Sequence, residues 1–263
     1  FERLPAVNGK DLSEEVIART GKPRKDGVRW SRGEIACFLS HREAWKIAAR
    51  MHDGHVAIFE DDIHFADGAE RLLTDASWIP ASVDIVKLET YFLPARLRAR
   101  GLPAGGHALM EILSRHWGSA GYIISTRIAR DLLDASESFD CTVDEFLFDP
   151  WGPGKTFNCY QLYPAICTQD DKLNGSAVPS VIEVERIPER KGKRTGFAKL
   201  RLEVTRPFVR LGRFLVNRYN GIVRGQPTLE VPFGRTGHTR RSLQRDHQKS
   251  LSDNAGTDQR GPA

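Results

Sequence analysis

The chain has 263 residues and a formal net charge of +5, with 40% hydrophobic and 28% charged residues. These values are typical of a soluble protein with one domain of moderate size plus appended segments. No run approaches the roughly 18 apolar residues of a membrane-spanning helix, and the start lacks the pattern of a signal peptide. Because the first residue is not Met, we expect the chain to begin part-way into a longer protein.

The four cysteines exclude two classes of small stabilised fold. They lie at Cys37, Cys141, Cys159 and Cys167 and form no CxxC pair, which argues against a zinc knuckle. Four cysteines in a chain of this length do not make a disulfide scaffold either. We therefore expect reduced thiols and a cytoplasmic location.

The first half of the chain contains clear signals for a helix and a strand. Residues 1–30 are predicted to be mostly loop. A capping box from Ser31 to Glu34 then predicts a helix that continues to about Met51 with an apolar stripe. After Gly54, the apolar run 55–59 has strand length and ends at three consecutive acids.

Further strand and helix patterns alternate after residue 80. They predict strands at 83–88 and 122–124, separated by a mobile loop at 94–106 that contains Pro and Gly. A helix is predicted near 126–135, and a capping box from Thr142 to Glu145 predicts a second, short helix that ends at 148. This alternation predicts the α/β class, with a layered sheet.

The C-terminal part differs in charge from the rest. Residues 186–224 hold twelve Lys and Arg against two Glu, a local charge of +10, so the remainder carries −5. Apolar residues recur there at spacings of three and four, which predicts a basic amphipathic helical extension. It would lie on an anionic membrane surface or pack on the domain with a solvated basic rim. No aromatic stacking platform accompanies the charge, which argues against nucleic acid binding.

The acids Glu60, Asp61 and Asp62 follow a strand that is predicted to be buried. Adjacent carboxylates repel one another, and a divalent cation would offset that repulsion. Oxygen ligands suit Mn²⁺ or Mg²⁺, and ligands gather beyond the carboxyl ends of strands in open α/β sheets. The alternative is a solvated strand end or a helix cap.

Several blocks in order resemble glycosyltransferase family 25, which includes bacterial lipooligosaccharide galactosyltransferases. The blocks are residues 33–45 (GEIACFLSHREAW), 56–62 (VAIFEDD), 117–125 (WGSAGYIIS) and Val143-Asp144 before an apolar helix. The resemblance covers roughly residues 1–182. It implies a GT-A-like (Rossmann-like) mixed sheet flanked by helices, from which the first βα unit is missing. We accordingly expect a transferase domain at 1–182, the basic helical extension at 183–233 and a disordered tail at 234–263.

The resemblance also implies a chemistry. It implies inverting, metal-assisted transfer of a hexose, usually galactose, from a UDP-sugar to a glycan of lipopolysaccharide. The basic extension, if it contacts the membrane, would place the protein at the inner face of the bacterial inner membrane, near a lipid-linked glycan acceptor. Asp62 and Glu60 would hold Mn²⁺ or Mg²⁺, and Glu60 and Asp61 would contact the donor. An inverting transfer needs a base, and the helix that starts at Thr142 offers two carboxylates. If Thr142 is the N-cap of this helix, the Glu145 side chain is occupied by the Thr142 N–H. Asp144 would then be free to point outward and act as the base. Alternatively both acids only decorate a helix start, or Asp140 is the cap.

Other residues have a functional and a structural interpretation. His41 is either a donor-site residue or part of the helix packing, and Gly118 and Gly121 either allow close approach of the donor or form a tight turn. Trp117 either stacks on a sugar or belongs to the core, and Gln169 is a candidate donor contact. Two rival functions remain open: a metal-dependent phosphoesterase, and a non-catalytic or degenerate module that binds a glycan or a membrane.

Overall fold

The structure is a computed structural model, and it describes residues 1–174 and 215–234. Its named helices are α1 (Glu14–Thr20), α2 (Arg32–Ala48), α3 (Ala69–Thr74), α4 (Ala129–Ala135), α5 (Val143–Phe148) and α6 (Asp170–Asn174). Its strands are β1 (His55–Phe59), β2 (Ile63–Phe65), β3 (Ile85–Lys87), β4 (Ala95–Arg96), β5 (Leu102–Ala104), β6 (His107–Glu111), β7 (Gly121–Ser125), β8 (Cys159–Tyr163), β9 (Cys167–Gln169) and β10 (Thr228–Leu229). Residues 215–223 are also helical.

A mixed sheet of six strands, in the order β1-β7-β3-β8-β6-β5, forms the centre of the molecule. The strands β3 and β8 pair in parallel, and the other neighbours pair antiparallel. Two short ladders, β2 with β9 and β4 with β10, lie outside this sheet. The prediction of an α/β fold with a mixed sheet and flanking helices is confirmed at this level.

The two faces of the sheet are covered separately, as the period of two along a strand requires. Ile85 and Ile124 pack with α2, α4 and α5 in one cluster, whereas Val86 and Ile123 pack with α3 in a second cluster. The long helix α2 belongs to the first cluster through Phe38 and other fully buried residues.

Local signals located several elements correctly. The capping box of α2 forms at Ser31 and Glu34, and the strand expected at 55–59 has those bounds. The strand expected at 83–88 is β3, and the helix expected near 126–135 is a short 3₁₀ turn followed by α4. The helix that was expected after Thr142 is α5.

One of the loop predictions was wrong, because the stretch 94–106 contains β4 and β5. Residues 1–30 are mostly loop, as expected, but they also contain α1, where the Ser13 side chain accepts the N–H of Val16. Gly105 and Gly106, with φ of 55° and 87°, form the two-residue turn between β5 and β6. A Gly-Gly pair is a common hairpin turn, and Pro103 is tolerated because β5 is an edge strand.

The predicted extension and tail lie largely outside the described residues. Of the extension, the described part is the helix at 215–223 and the strand β10, which pairs with β4 and lies close to the buried Val231. The division of the chain into three segments, and the missing first βα unit, stay predictions. Within the described ranges, we find no helix that has both the length and the apolar character to cross a bilayer.

Candidate functional site

One edge of the central sheet collects most of the predicted site residues. The strands β1 and β3 both pair antiparallel with β7, and β8 runs parallel to β3. The carboxyl ends of β1, β3 and β8 therefore lie at the same edge of the sheet as the amino end of β7. The turn that contains Gly118 leads into β7 at this edge. Ligands bind at such an edge in open α/β sheets.

Glu60 and Asp62 converge on one amide at this edge. The Gln169 Nε2 lies 3.3 Å from a Glu60 carboxylate oxygen and 3.2 Å from an Asp62 carboxylate oxygen. The β2–β9 ladder accounts for this approach, because it pairs Ile63 with Gln169. Asp61 is exposed, and within the described part of the chain it has no hydrogen bond to the other site residues.

The two acids lack a Lys or Arg partner in the described part of the chain. Neither forms an ion pair with Lys or Arg among residues 1–174 and 215–234. Partial desolvation, followed by the negative charge of Glu60, raises the pKa of Asp62, and the hydrogen bond from Gln169 opposes that shift. The site therefore carries excess negative charge next to solvent.

His41 connects this acidic pair to the core. Its Nδ1 lies 2.8 Å from the Tyr122 hydroxyl, which also accepts the indole N–H of Trp45 at 2.9 Å. An imidazole whose Nδ1 accepts the hydroxyl proton of Tyr122 carries its own proton on Nε2. The Nε2 lies 3.5 Å from the Glu60 carboxylate, so a buried histidine orients one of the two acids.

The oxygen ligands of the acidic pair fit a hard divalent cation. Glu60 and Asp62 offer carboxylates, and a flipped Gln169 would offer a carbonyl oxygen. Cys37, His41 and Glu60 also bring one ligand atom each within 4.8 Å of one another. Burial raises the pKa of the Cys37 thiol far above its usual range, so this sulfur is protonated in the metal-free protein, and a hard cation prefers the oxygen ligands.

A second charged cluster lies beside the first, and two of its members, Lys87 and Glu89, were not predicted from the sequence. We call Lys87, Glu89, Gly118 and Asp144 the buried network. The Nζ of Lys87 lies 3.1 Å from a Glu89 oxygen and also donates to the Gly118 carbonyl. Burial raises the pKa of Glu89, against the opposing effect of Lys87.

Both clusters meet at Ala120. Its N–H donates to Glu89 at 3.0 Å, and its carbonyl accepts the N–H of Glu60 at 2.9 Å. The backbone of one residue therefore connects the exposed acidic pair to the buried network.

Gly118 has a structural reason to be glycine. Its φ is 84°, and a Cβ there would lie 2.6 Å from the nearer Glu89 oxygen. Its N–H donates to Asp144 at 3.2 Å. The tight-turn interpretation thus applies to Gly118, and the same turn places Asp144 next to the sheet edge.

Asp144 and Glu145 have different roles at the start of α5. Glu145 accepts the Thr142 N–H at 3.3 Å and forms an ion pair with Arg115, as expected for an occupied capping residue. Asp144 is half-buried and accepts two hydrogen bonds, one from the Thr142 hydroxyl at 2.5 Å and one from the Gly118 N–H. It is therefore fixed in place, not free as the sequence suggested.

Comparisons with known proteins identify the family of this chain. Residues 1–147 match the model of glycosyltransferase family 25, described as LPS biosynthesis proteins. The chain is 32% identical over 198 residues to lacto-N-neotetraose biosynthesis glycosyltransferase LgtB of Neisseria meningitidis serogroup B, with 70% of each chain covered. It is 31% identical over 217 residues to LgtE of the same organism, covering 77% of this chain and 76% of that one.

A third relative belongs to another genus. Lipooligosaccharide biosynthesis protein lex-1 of Haemophilus influenzae is 31% identical over 185 residues, which cover 65% of this chain and 61% of that protein. The family match spans more than half of the chain and includes α2, the acids after β1, β7 and most of α5. The chain therefore belongs to glycosyltransferase family 25.

Proposed function

We propose that the protein is an inverting transferase of GT-A type that moves a hexose, galactose, from a UDP-sugar to a glycan acceptor of lipopolysaccharide.

 The observation that carries this proposal is the convergence of Glu60 and Asp62 on Gln169 at the exposed sheet edge, without a Lys or Arg partner in the described ranges. Membership of the family supports the reaction class, and the names of the relatives support lipooligosaccharide as the acceptor class.

Glu60 and Asp62 would hold Mn²⁺ or Mg²⁺ in this reaction. The cation, when bound, supplies a Lewis acid that neutralises the charge of the departing diphosphate. His41 orients Glu60, and Gln169 holds the two carboxylates together until a cation binds. Asp61, which is exposed beside them, is the remaining candidate for a donor contact.

Asp144 is the proposed general base. Two donors, the Gly118 N–H and the Thr142 hydroxyl, fix its carboxylate near the sheet edge. It would take the proton of the acceptor hydroxyl as that oxygen attacks the anomeric carbon. Glu145 is held by Thr142 and Arg115, so we assign it a supporting role at the start of α5.

We further propose that the basic extension binds an anionic membrane surface on the cytoplasmic side, near a lipid-linked acceptor. In its described part, the helix at 215–223 exposes apolar side chains next to Arg218 and Arg224: Leu215, Val216, Tyr219, Ile222 and Val223. Flotation with liposomes that contain anionic lipid should show binding that falls as salt is raised. Absent or salt-insensitive binding would reject this part of the proposal.

The reaction is tested by UDP release. The protein is incubated with a panel of UDP-sugars, with and without Mn²⁺ and a lipooligosaccharide acceptor. We expect release to require the metal and to fall about 100-fold or more in Asp62→Ala, because one oxygen ligand is lost. In Asp144→Asn we expect UDP binding to persist and transfer to fall by about 100-fold or more.

Two results would count against these assignments. Metal-independent release would remove the role of Glu60 and Asp62, and unchanged turnover in Asp144→Asn would remove that of Asp144. UDP binding without any turnover on the whole panel would favour the non-catalytic module instead.

A further inference from the structure

The side of α2 that faces the acidic pair carries a thiol and an imidazole. Cys37 and His41 are four residues apart, which puts them on one face of this helix. Together with Glu60 they bring one ligand atom each within 4.8 Å of one another. We call these three residues the thiol site. Two ligands at this spacing on one helical face are typical of zinc-binding helices.

The core holds the His41 ring with one nitrogen towards Glu60. Its Nδ1 lies 2.8 Å from the Tyr122 hydroxyl, to which the Trp45 indole N–H also donates. Its Nε2 lies 3.5 Å from the Glu60 carboxylate. A hydroxyl can donate or accept, so the Tyr122 oxygen can also accept a proton from Nδ1, which leaves Nε2 free for a metal. A partner on the second ring nitrogen is usual for a metal-binding histidine.

The distances within the thiol site are close to those around a tetrahedral zinc ion. Bonds of about 2.0–2.3 Å to nitrogen, oxygen and sulfur place neighbouring ligand atoms roughly 3.3–3.8 Å apart. The separation of 3.5 Å between His41 and Glu60 already meets this condition. The Cys37 sulfur, within 4.8 Å of the other two ligand atoms, needs to approach by about 1 Å at most. Small rotations of the Cys37 and Glu60 side chains provide such a shift.

The three ligands select a softer cation than the acidic pair does. Sulfur and imidazole nitrogen favour Zn²⁺ and similar ions, whereas carboxylate and carbonyl oxygens favour Mn²⁺ and Mg²⁺. Glu60 has no Lys or Arg partner in the described ranges, so its charge is available to a cation. The Cys37 thiol releases its proton to water as the metal–sulfur bond forms.

We propose that Cys37, His41 and Glu60 bind a divalent cation of the zinc class at a second metal site, which shares Glu60 with the acidic pair. Water fills the fourth position, as in zinc sites with three protein ligands. Two cations would compete for one carboxylate and repel each other, so occupation of the thiol site weakens Mn²⁺ binding at Glu60 and Asp62. This effect on Mn²⁺ rests on the proposed function; the thiol site itself does not.

The site is tested with Co²⁺, which replaces zinc and gives a near-ultraviolet absorption when it is bound to a thiolate. The full chain, reduced and stripped of metal, is titrated first with Co²⁺ and then with Zn²⁺. We expect the thiolate absorption to saturate at about one equivalent of Co²⁺ and to disappear as Zn²⁺ displaces the cobalt. Zn²⁺ should also raise the midpoint of thermal unfolding of the wild type.

Two cysteine variants separate the thiol site from other thiols. Cys37→Ser should abolish the absorption and weaken Zn²⁺ binding by about tenfold or more, because the soft ligand is lost. Cys141→Ser is the matched control, since Cys141 is also half-buried but is not part of the thiol site. It should bind Co²⁺ and Zn²⁺ as the wild type does. The Zn²⁺-dependent rise in thermal stability should persist in Cys141→Ser and be absent from Cys37→Ser.

Asp62→Asn distinguishes this inference from the proposed function. This variant should keep the cobalt–thiolate absorption even though it loses the donor cation. In the wild type, Zn²⁺ should weaken the Mn²⁺-dependent binding of UDP, as measured by calorimetry, and Cys37→Ser should relieve that inhibition.

Three outcomes would overturn the inference. The first is the absence of a cobalt–thiolate absorption in the wild type, and the second is an equal absorption in the wild type and Cys37→Ser. The third is a Zn²⁺ ion that binds through Cys37 but leaves the Mn²⁺-dependent binding of UDP unchanged, which would refute the shared carboxylate.

Discussion

The acidic pair and the buried network lie side by side but handle charge in opposite ways. Glu60 and Asp62 lie near solvent and share only the neutral amide of Gln169. Glu89 is fully buried and has Lys87 at 3.1 Å. The first arrangement lacks a compensating Lys or Arg and is suited to a cation, whereas in the second the Glu89 carboxylate has Lys87 as its charged partner.

This difference fits the proposed reaction, in which a donor with a diphosphate would bring negative charge to the sheet edge that a cation at Glu60 and Asp62 would neutralise. The backbone of Ala120 connects the two clusters, so their spacing is set by the start of β7 and not by mobile side chains.

The largest expected effect is on the buried network. Lys87→Met should lower the free energy of unfolding by about 3–5 kcal/mol, because it leaves the Glu89 carboxylate buried without its charged partner. Urea unfolding at neutral pH measures this change. The double variant Lys87→Met/Glu89→Gln should lose much less than the sum of the two single variants. Additive losses would mean that Lys87 and Glu89 are not energetically coupled.

A smaller effect should appear on acidification. Burial holds the pKa of His116 at about 3, below its ordinary value of 6.5. As pH falls below 6.5 the unfolded chain takes up this proton first, so unfolding is favoured. Between pH 7 and pH 5, His116 should cost the wild type about 2 kcal/mol of stability.

His116→Gln, which keeps a neutral polar side chain, provides the comparison. It should lose about 2 kcal/mol less than the wild type over the same pH interval, as measured by urea unfolding at the two pH values. Parallel losses in the two proteins would show that His116 titrates normally and is not buried as a neutral side chain.

The smallest effect should have the opposite sign and occur at the acidic pair. Asp62→Asn removes one of two repelling charges, so the metal-free protein should become more stable, by up to about 1 kcal/mol since the site is exposed. Thermal unfolding in EDTA measures this gain. A clear loss of stability would mean that Asp62 is engaged in a favourable contact and is not held ready for a cation.

The sequence predicted those parts of the fold that short-range signals determine. The helices α2 and α5 begin at capping boxes, and β1 is an apolar run that ends at the acids. The strands β6 and β8 were missed because their pairing is between residues far apart in the chain. In the case of β5, the Gly-Gly turn was visible but was interpreted as part of a mobile loop.

The site shows the same division. Glu60 and Asp62 could be found because they directly follow the strand β1 in the sequence. Gln169 could be found because it ends a second strand, β9. Lys87 and Glu89 were missed, although residues two apart in a strand share a face and a Lys–Glu pair there was a usable signal. The role of Gly118 depends on the position of the Glu89 side chain, which only the folded structure provides.

The central claim is that the acids after β1 hold a divalent cation that carries the donor diphosphate. Isothermal titration calorimetry with UDP, in the presence of Mn²⁺ or of EDTA, tests it on the wild type and on Asp62→Asn. We expect UDP to bind the wild type only with Mn²⁺, and this binding to weaken by at least about tenfold in Asp62→Asn. Equal UDP affinity with and without Mn²⁺, or in both proteins, would contradict the claim.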